Sequence, residues 1–256
     1  MNTPDIFSVA DQVVCISGAS RGLGKCLARM FVERGAHVVI SSWDGRELEA
    51  AARDLAATGL VVNTFVADVS DPVACDELIA WTQQRFGRLD TMICNAGIDR
   101  IKPAESFSQD DWDKILNVNL RGAFFSARAA GAAMLAAGRG SIILTSSIAG
   151  RSGIPGLTPY AASKGGIDQL VRTMAVEWAT RGVRVNGVAP GYINNYMDGV
   201  EADESSPYQQ RAMARTPMGR RGEPYEFGGA YLYLASAASS YTTGSVMYVD
   251  GGYSAA

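Results

Sequence analysis

Tyr160 and Lys164 stand four positions apart in a segment that reads YAASK. On a helix, positions i and i+4 lie on the same face, so the phenol and the ammonium group point to the same side. A free tyrosine has a pKa of about 10, too high for efficient proton exchange at neutral pH, and a neighbouring ammonium group lowers that pKa. The chain has only four lysines, so a chance pair is uncommon. The pair therefore predicts an acid/base site, with an ordinary solvated helix pair as the alternative.

A second candidate site is the glycine-rich segment SGASRGLG at residues 17–24, which follows the apolar segment 13–17. Its glycines, Gly18, Gly22 and Gly24, allow a tight turn and close approach of a pyrophosphate to the backbone. A helix that begins there presents free N–H groups to the phosphates. The segment predicts a nucleotide site.

The elements that must position these residues alternate along the chain. Short apolar segments are separated by segments rich in Ala, Leu, Glu and Arg, and residues 45–57 and 72–86 are predicted helices, the second with Pro72 in its first turn. This alternation predicts an α/β fold with a doubly wound parallel sheet of about seven strands and helices on both faces. The predicted strands cover residues 13–17, 37–41, 60–67, 89–97, 140–147, 182–191 and 245–252.

One domain over residues 1–256 accounts for this pattern. The polar segment 192–222 interrupts the alternation and is predicted to be an insertion beyond a strand end, of the kind that forms substrate loops.

Composition excludes several function classes. The net charge of −3 without a basic stripe argues against nucleic acid as a partner. His37 is the only histidine, so neither a histidine metal site nor a Ser-His-Asp triad is expected, and no metal is predicted. The scattered cysteines are interpreted as buried free thiols: Cys15, Cys26, Cys75 and Cys94.

No membrane partner is expected either. The N-terminus lacks a basic segment followed by an apolar one, so no signal peptide is predicted. The uncharged segment 227–249 contains three glycines and many Ser and Thr residues, which disfavours a membrane helix. We therefore expect a soluble cytoplasmic protein.

Taken together, the motifs resemble the short-chain dehydrogenase/reductase family in its classical form. In family order they are the glycine loop 17–24, DV at 68–69, NAG at 95–97, NVNL at 117–120, SS at 146–147, YAASK at 160–164 and PG at 190–191. The resemblance covers essentially the whole chain. It implies a Rossmann-like fold, hydride transfer between a nicotinamide cofactor and a secondary alcohol or ketone, and a homotetramer.

By this resemblance four residues are catalytic. Tyr160 is the general acid/base that exchanges the proton of the substrate alcohol, and Lys164 lowers its pKa and holds the nicotinamide ribose. Ser147 hydrogen-bonds the substrate oxygen, and Asn119 holds the water that links Lys164 to solvent.

The resemblance also implies the cofactor site. The family usually has threonine where this chain has Asn195, and an asparagine there can still donate and accept hydrogen bonds. The expected cofactor-binding residues are Gly18, Ser20, Arg21, Gly22, Leu23, Gly24, Ser42, Trp43, Asp68, Val69, Asn95, Ala96, Gly97, Tyr160, Lys164, Pro190, Gly191, Ile193 and Asn195.

NADP is favoured over NAD. An acid at the end of the second strand usually binds the 2′-hydroxyl of NAD, but this chain has Ser42 there, followed by Trp43. Arg21 resembles the residue that binds the 2′-phosphate in NADP-dependent members, and its alternative is a solvated loop charge. Asp44 could instead reach the ribose and favour NAD.

For the substrate, the C-terminal third is similar to polyol, sugar-acid and gluconate-type dehydrogenases, and also to 3-oxoacyl-carrier-protein reductases. We expect a small hydroxylated substrate. The carrier-protein alternative would use Arg211, Arg215, Arg220 and Arg221 as a docking patch. The expected substrate-binding residues are Ser147, Ile154, Tyr160, Tyr192 and Tyr196, with Asp99 and Arg100 as further pocket candidates.

Two readings from other classes stay open. One is a nucleotide-binding sensor without catalysis, which would need no acid/base tyrosine. The other is an assembly protein, because the segment 122–138 has small residues suited to close helix packing.

Overall fold

A computed structural model describes residues 5–194 and 207–256. Within them, strands cover Val13–Ser17 (β1), His37–Ser42 (β2), Asn63–Val66 (β3), Thr91–Cys94 (β4), Gly140–Thr145 (β5), Val183–Pro190 (β6) and Val246–Val249 (β7). Helices cover Gly22–Val32 (α1), Gly45–Ala56 (α2), Pro72–Phe86 (α3), Gln109–Leu116 (α4), Gly122–Ala137 (α5), Thr158–Trp178 (α6), Pro207–Ala214 (α7) and Pro224–Ala235 (α8).

The strands form one parallel sheet in the order β3-β2-β1-β4-β5-β6-β7. The strand order reverses between β1 and β4, and in open α/β sheets ligands bind at such a reversal, beyond the carboxyl ends of the strands. The prediction of a doubly wound α/β sheet with seven strands is confirmed. One domain over the whole chain stays a prediction.

Alternate residues of each central strand pack on opposite faces of the sheet. Val14 and Ile16 of β1 lie in a buried cluster with residues of α1, α2 and α8. Val13 and Cys15 lie in a second buried cluster with residues of α3, α5 and α6. Helices therefore cover both faces, and the central strands are apolar throughout for this reason.

The helices α1, α2 and α3 differ in how their first backbone N–H groups are capped. Asp44 caps α2 by accepting from the backbone N–H of Arg46 and Glu47, at 2.8 and 3.1 Å. Asp71 caps α3, and Pro72 is its first residue, as predicted. No side-chain hydrogen bond caps the start of α1, at the end of the glycine loop. The backbone N–H groups there are suited to an anionic ligand.

Several predicted strands are shorter in the structure than in the sequence pattern. The predicted strand 89–97 is β4 at Thr91–Cys94, 60–67 is β3 at Asn63–Val66, and 245–252 is β7 at Val246–Val249. After β4, the backbone N–H groups of Asn95 and Ala96 donate to the Ser17 hydroxyl, at 3.1 and 3.2 Å, instead of to a neighbouring strand.

Within the predicted insertion 192–222, the structure describes residues 192–194 and 207–222. A parallel bridge pairs Ile193 with Gly222, which brings the two described ends of the insertion together. Helix α7 lies between them along the chain.

Three of the four cysteines, Cys15, Cys75 and Cys94, are buried free thiols, and burial raises the pKa of Cys15 to about 12. Cys26 is half-buried. Over residues 5–194 and 207–256, no helix is long and apolar enough to cross a membrane.

A substitution at Gly182, which lies between α6 and β6, tests how tightly the turn between this helix and strand is packed. Its φ is +82°, and a Cβ atom would lie against the carbonyl oxygen of Gly138. We expect Gly182→Ala to lower the free energy of unfolding by at least ~3 kcal/mol, because backbone strain and overlap add. Gly87→Ala is the control, since Gly87 also has a positive φ of +72° but open space around it, and should cost ~1 kcal/mol. Urea unfolding of both variants measures the difference, and equal losses would contradict the packing argument.

Candidate active site

A cleft of about 520 Å³ opens at the carboxyl ends of the strands. Its walls come from the segments that follow β1, β2, β3, β4, β5 and β6, together with α6. The cleft therefore contains the position where the strand order reverses, which is where a nucleotide site is expected in this architecture.

The glycine loop forms one end of the cleft. Gly18 has a φ of +63°, and a Cβ atom there would lie 2.6 Å from the Cα atom of Ala96. The Asn95 amide nitrogen bonds to the carbonyl oxygens of Ser17 and Gly18 at 3.2 and 2.9 Å. A side chain at Gly24 would collide with Asn95 and with the backbone of the loop itself. The loop is thus held with its backbone exposed to the cleft, and it fits a dinucleotide pyrophosphate.

Beside the glycine loop lie Arg21, Ser42 and Trp43, all lining the cleft, with the Trp43 side chain largely exposed. The same end contains an acid that the sequence analysis did not identify. Glu47 of α2 lines the cleft, accepts from the Ser20 hydroxyl at 3.1 Å and lies 3.7 Å from an Arg21 guanidinium nitrogen. The sequence could have indicated Glu47, because it is the acid in the first turn of α2, the helix that follows β2.

Asp44 was the alternative considered for binding the ribose of NAD. One of its carboxylate oxygens caps α2, and the residue is not among those lining the cleft. Glu47, in contrast, lines the cleft near Arg21. Glu47 is therefore the acid at this end of the cleft that would bind the ribose if the cofactor were NAD.

Tyr160 and Lys164 lie on α6 and line the same cleft. The Lys164 side chain is buried, and its Nζ donates to the Thr145 carbonyl oxygen at 2.8 Å. Nζ lies 5.4 Å from the centroid of the Tyr160 ring. The expectation that both side chains point to one side is therefore confirmed, and a solvated surface pair is excluded because Lys164 is 2% exposed.

Ser147 follows β5 and also lines the cleft. Its Oγ accepts from the backbone N–H of Ala149 at 3.1 Å, which fixes the side chain at the start of a short helical turn. The preceding residue, Ser146, lines the cleft as well and donates to Asp168 at 2.5 Å.

Asn119 lies behind the cleft wall rather than in it. It is fully buried in a single π-helical turn, Asn117–Arg121, between α4 and α5. Its Oδ1 accepts from the Ile98 backbone N–H at 2.8 Å, and its Nδ2 donates to the Ile98 oxygen at 2.9 Å and the Ser163 Oγ at 3.2 Å. Both amide hydrogens are thus used, and the side chain joins the segment after β4 to α6.

Two buried carboxyl groups act on Lys164. Burial lowers the pKa of Lys164 to about 8, while Asp99 and Asp168 oppose that shift. Burial raises the pKa of Asp99 to about 7, and the hydrogen bond from Arg100 and the charge of Lys164 oppose that shift. Burial also raises the pKa of Asp168. A buried ammonium group and two buried acids therefore influence one another here, and of the two acids only Asp99 lines the cleft.

The far end of the cleft is more apolar. Ile154, Leu157 and Tyr160 form a small cluster with Tyr192 and Tyr253. The Tyr192 and Tyr253 rings meet edge to face, with centroids 5.8 Å apart. The Arg221 guanidinium carbon lies 5.6 Å from the Tyr192 centroid, so this wall also carries a cation.

Most expected site residues come together. Asn119 does not line the cleft, and Asn195 and Tyr196 lie outside the described residues. Arg100 is not part of the lining either, since it points to Asp111 at 3.6 Å. The expected residues that line the cleft are Gly18, Ser20, Arg21, Gly22, Leu23, Gly24, Ser42, Trp43, Asp68, Val69, Asn95, Ala96, Gly97, Asp99, Ser147, Ile154, Tyr160, Lys164, Pro190, Gly191, Tyr192 and Ile193.

The sequence analysis missed other lining residues because most adjoin a motif without belonging to it. They are Glu47, Ala67, Ile98, Ile101, Lys114, Val118, Thr145, Ser146, Ile148 and Leu157. Arg221 also lines the cleft, although it was assigned to a surface patch.

Three of the four arginines of that predicted patch, Arg211, Arg215 and Arg220, are exposed, and Arg221 lines the cleft. Arg220 makes two bonds of 2.7 Å to Glu226, and Arg221 turns into the cleft and donates to the Ile193 oxygen at 2.9 Å. Arg215 stacks over Tyr253, 4.8 Å from its centroid.

The fold and the cleft together define a class of protein: a dinucleotide-dependent oxidoreductase with its phosphate loop after the first strand. Comparison with known proteins then gives the family. A family model described as enoyl-(acyl carrier protein) reductase matches residues 18–254. The gluconate 5-dehydrogenase of Gluconobacter oxydans is 38% identical over 253 residues, which are 98% of each chain. The chain therefore belongs to the short-chain dehydrogenase/reductase family and is an oxidoreductase.

Two further relatives are informative. The 3-oxoacyl-acyl-carrier-protein reductase of Thermotoga maritima is 37% identical over 243 residues, covering 94% of this chain and 97% of that protein. The crystal structure of a gluconate 5-dehydrogenase from Burkholderia cenocepacia, in complex with NADP and tartrate, is 35% identical with a TM-score of 0.92 and covers 98% of each chain.

Proposed function

We propose that this protein interconverts a secondary alcohol and a ketone in a small hydroxylated substrate, a polyol, sugar or sugar acid, with NADP as the cofactor. The observation that carries the proposal is the convergence of Ser147, Tyr160 and Lys164 on the cleft that begins at the glycine loop. The similarity to gluconate 5-dehydrogenase and the structural neighbour with NADP and tartrate, itself a hydroxylated acid, support it.

The cofactor, when bound, supplies or accepts the hydride. The phenol of Tyr160 exchanges the proton of the substrate hydroxyl, and Ser147 holds the substrate oxygen through its own hydroxyl. Lys164 favours the phenolate by its charge, because its ammonium lies beside the Tyr160 ring. With its side chain bonded to Ile98 and Ser163, Asn119 would hold the relay water best through its main-chain oxygen.

The substrate end supports a hydroxylated molecule. It combines the apolar wall around Ile154 and Tyr192 with the charge of Arg221. A few fixed polar groups in a largely apolar cleft orient a small polar ligand. The alternative, an oxoacyl carrier-protein substrate, is weakened because Arg220 is paired with Glu226 and Arg221 faces the cleft.

For the cofactor, Arg21 would bind the 2′-phosphate, with the Ser42 hydroxyl as a further donor and Trp43 near the adenine. Glu47 holds Arg21 at this end of the cleft and would have to share it with the phosphate. We also propose that the protein is a cytoplasmic homotetramer whose partners are its own copies and a small-molecule substrate.

A substrate panel tests the proposed function. We expect the highest kcat/KM with D-gluconate or a polyol such as galactitol in the presence of NADP. The change in nicotinamide absorbance measures the rate. Turnover of 3-oxoacyl thioesters alone would favour the carrier-protein alternative. Binding of NADPH without turnover on any member would favour the non-catalytic sensor.

Tyr160→Phe tests the acid/base. We expect kcat to fall by about a hundredfold or more, because general acid/base catalysis contributes about that much, while the Kd of NADPH stays within about threefold. Tyr233→Phe is the control: this tyrosine lies on α8, bonds to Thr242 and does not line the cleft. Near-normal turnover of the Tyr160 variant would show that the assignment is wrong.

Arg21→Ala tests the cofactor. We expect the Kd of NADPH to rise about tenfold or more and that of NADH to rise less than about threefold, since only NADPH presents the 2′-phosphate. Arg46→Ala removes an exposed arginine of α2 outside the cleft and should change neither. If Arg21→Ala raised the Kd of NADPH and of NADH by the same factor, Arg21 would not bind the 2′-phosphate. If Glu47→Gln raised the Kd of NADH but not that of NADPH, the result would indicate NAD as the cofactor.

A further inference from the structure

Asp168 is a buried carboxyl group on α6 that lies outside the lining of the cleft and that the proposed chemistry does not use. It stands four residues after Lys164, which itself stands four residues after Tyr160, so neighbouring members of this series share a face of the helix. A buried acid is costly unless hydrogen bonds compensate for the lost water. The partners of Asp168 therefore show which parts of the fold it joins.

The first partner is Ser146, the residue directly before Ser147. The Ser146 hydroxyl donates to the Asp168 Oδ1 at 2.5 Å, and its backbone N–H donates to the Val188 oxygen of β6 at 2.7 Å. The Lys164 carbonyl oxygen lies farther from the same hydroxyl, at 3.4 Å, so the carboxylate is its main acceptor. The chain just before Ser147 is thus bonded to β6 through its backbone and to α6 through a side chain.

The short helical turn after Ser147 rests on the same part of α6. A Cβ atom at Gly150 would lie 3.1 Å from the Asp168 Oδ2, so the turn packs closely against this carboxyl group. Within the turn, the Ser147 Oγ accepts from the Ala149 backbone N–H, a bond that does not use the hydroxyl hydrogen and lets it go to a substrate oxygen. Contacts before and after Ser147 therefore hold it against the helix that carries Tyr160.

Tyr248 of β7 is the second hydrogen-bond partner of Asp168. Its hydroxyl donates to the Asp168 Oδ2 at 3.5 Å, which is long for such a bond, so Ser146 is the closer partner. Asp168 also raises the pKa of Lys164 against the effect of burial. An effect of the carboxylate charge on Lys164 is therefore the competing account that an experiment has to separate from the hydrogen bond.

We propose that Asp168 is a positioning residue: through Ser146 it holds Ser147 where the serine hydroxyl meets the substrate oxygen beside Tyr160. This inference rests on the proposed function and assigns to the geometry of the reaction a residue that lies outside the cleft. A displacement of about 1 Å at a reacting group can cost about a hundredfold in rate, so one hydrogen bond behind the cleft wall can matter for turnover.

The first experiment compares Asp168→Ala with Asp168→Asn, with D-gluconate and NADP or with the panel member of highest kcat/KM. We expect Asp168→Ala to lower kcat about tenfold or more. Asp168→Asn keeps an oxygen that accepts from Ser146 and gains an amide that donates to the Tyr248 hydroxyl, so kcat should stay within about threefold of the wild type. The Kd of NADPH should stay within about threefold in both variants, because Lys164 is retained.

Ser146→Ala removes the same hydrogen bond from its other end, and it serves if Asp168→Ala does not fold. We expect a loss in kcat of about tenfold or more, and the double variant Ser146→Ala/Asp168→Ala should lose no more than the larger single loss, because both changes remove one interaction. Ser141→Ala is the matched control. This buried serine lies at the other end of β5 and donates to the Leu234 oxygen at 2.7 Å, so its loss should lower the Tm without changing kcat.

Equal losses in kcat with Asp168→Asn and Asp168→Ala would overturn the proposal, because they would show that the charge acts on Lys164. A tenfold rise in the Kd of NADPH with Asp168→Ala would overturn it for the same reason. Normal kcat in Asp168→Ala or in Ser146→Ala would overturn it and leave the proposed function intact. A wild type without turnover on any member of the panel would contradict the proposed function, and this inference with it, before any variant is made.

Discussion

The burial of the Lys164 ammonium group is the constraint on which the site depends. A charge with 2% exposure is tolerated only where hydrogen bonds and opposite charges compensate for the lost water. The Thr145 carbonyl at 2.8 Å supplies a hydrogen bond, and Asp99 and Asp168 supply charge. These partners come from the end of β5, from the segment after β4 and from α6 itself, so the three elements must converge for the lysine to be buried.

A five-residue segment, 95–99, joins the two ends of the cleft. At its start, Asn95 holds the glycine loop through the oxygens of Ser17 and Gly18. Near its end, Ile98 is held on both sides by Asn119, and Asp99 then faces Lys164. The position of the phosphate loop and the position of the ammonium group are therefore set by the same short stretch of backbone. This segment begins directly where β4 ends, at Cys94.

The sequence was sufficient for the sheet, the glycine loop and the Tyr160–Lys164 pair, because spacing alone determines which side chains share a face or follow a strand. The sequence did not predict hydrogen bonds from site residues to backbone atoms. It also did not predict an acid that reaches the cleft from a neighbouring helix. The Thr145 carbonyl has no side-chain signature, and Glu47 reaches the cleft only because α2 packs beside the glycine loop. Asn119 was recognised as part of the site, but its buried bonds to Ile98 depend on a π-helical turn that no residue pattern predicts.

The two acids near Lys164 differ in their hydrogen bonds and in their access to the cleft. Asp168 is enclosed by Ser146 and Tyr248, so it ties the serine loop after β5 to α6 and to β7. Its carboxyl group thus accepts two hydrogen bonds from side chains of other elements. Asp99 is held by one backbone N–H within the described part of the chain and faces the cleft. Of the two acids that raise the pKa of Lys164 against its burial, Asp99 therefore faces the cleft and Asp168 lies outside its lining.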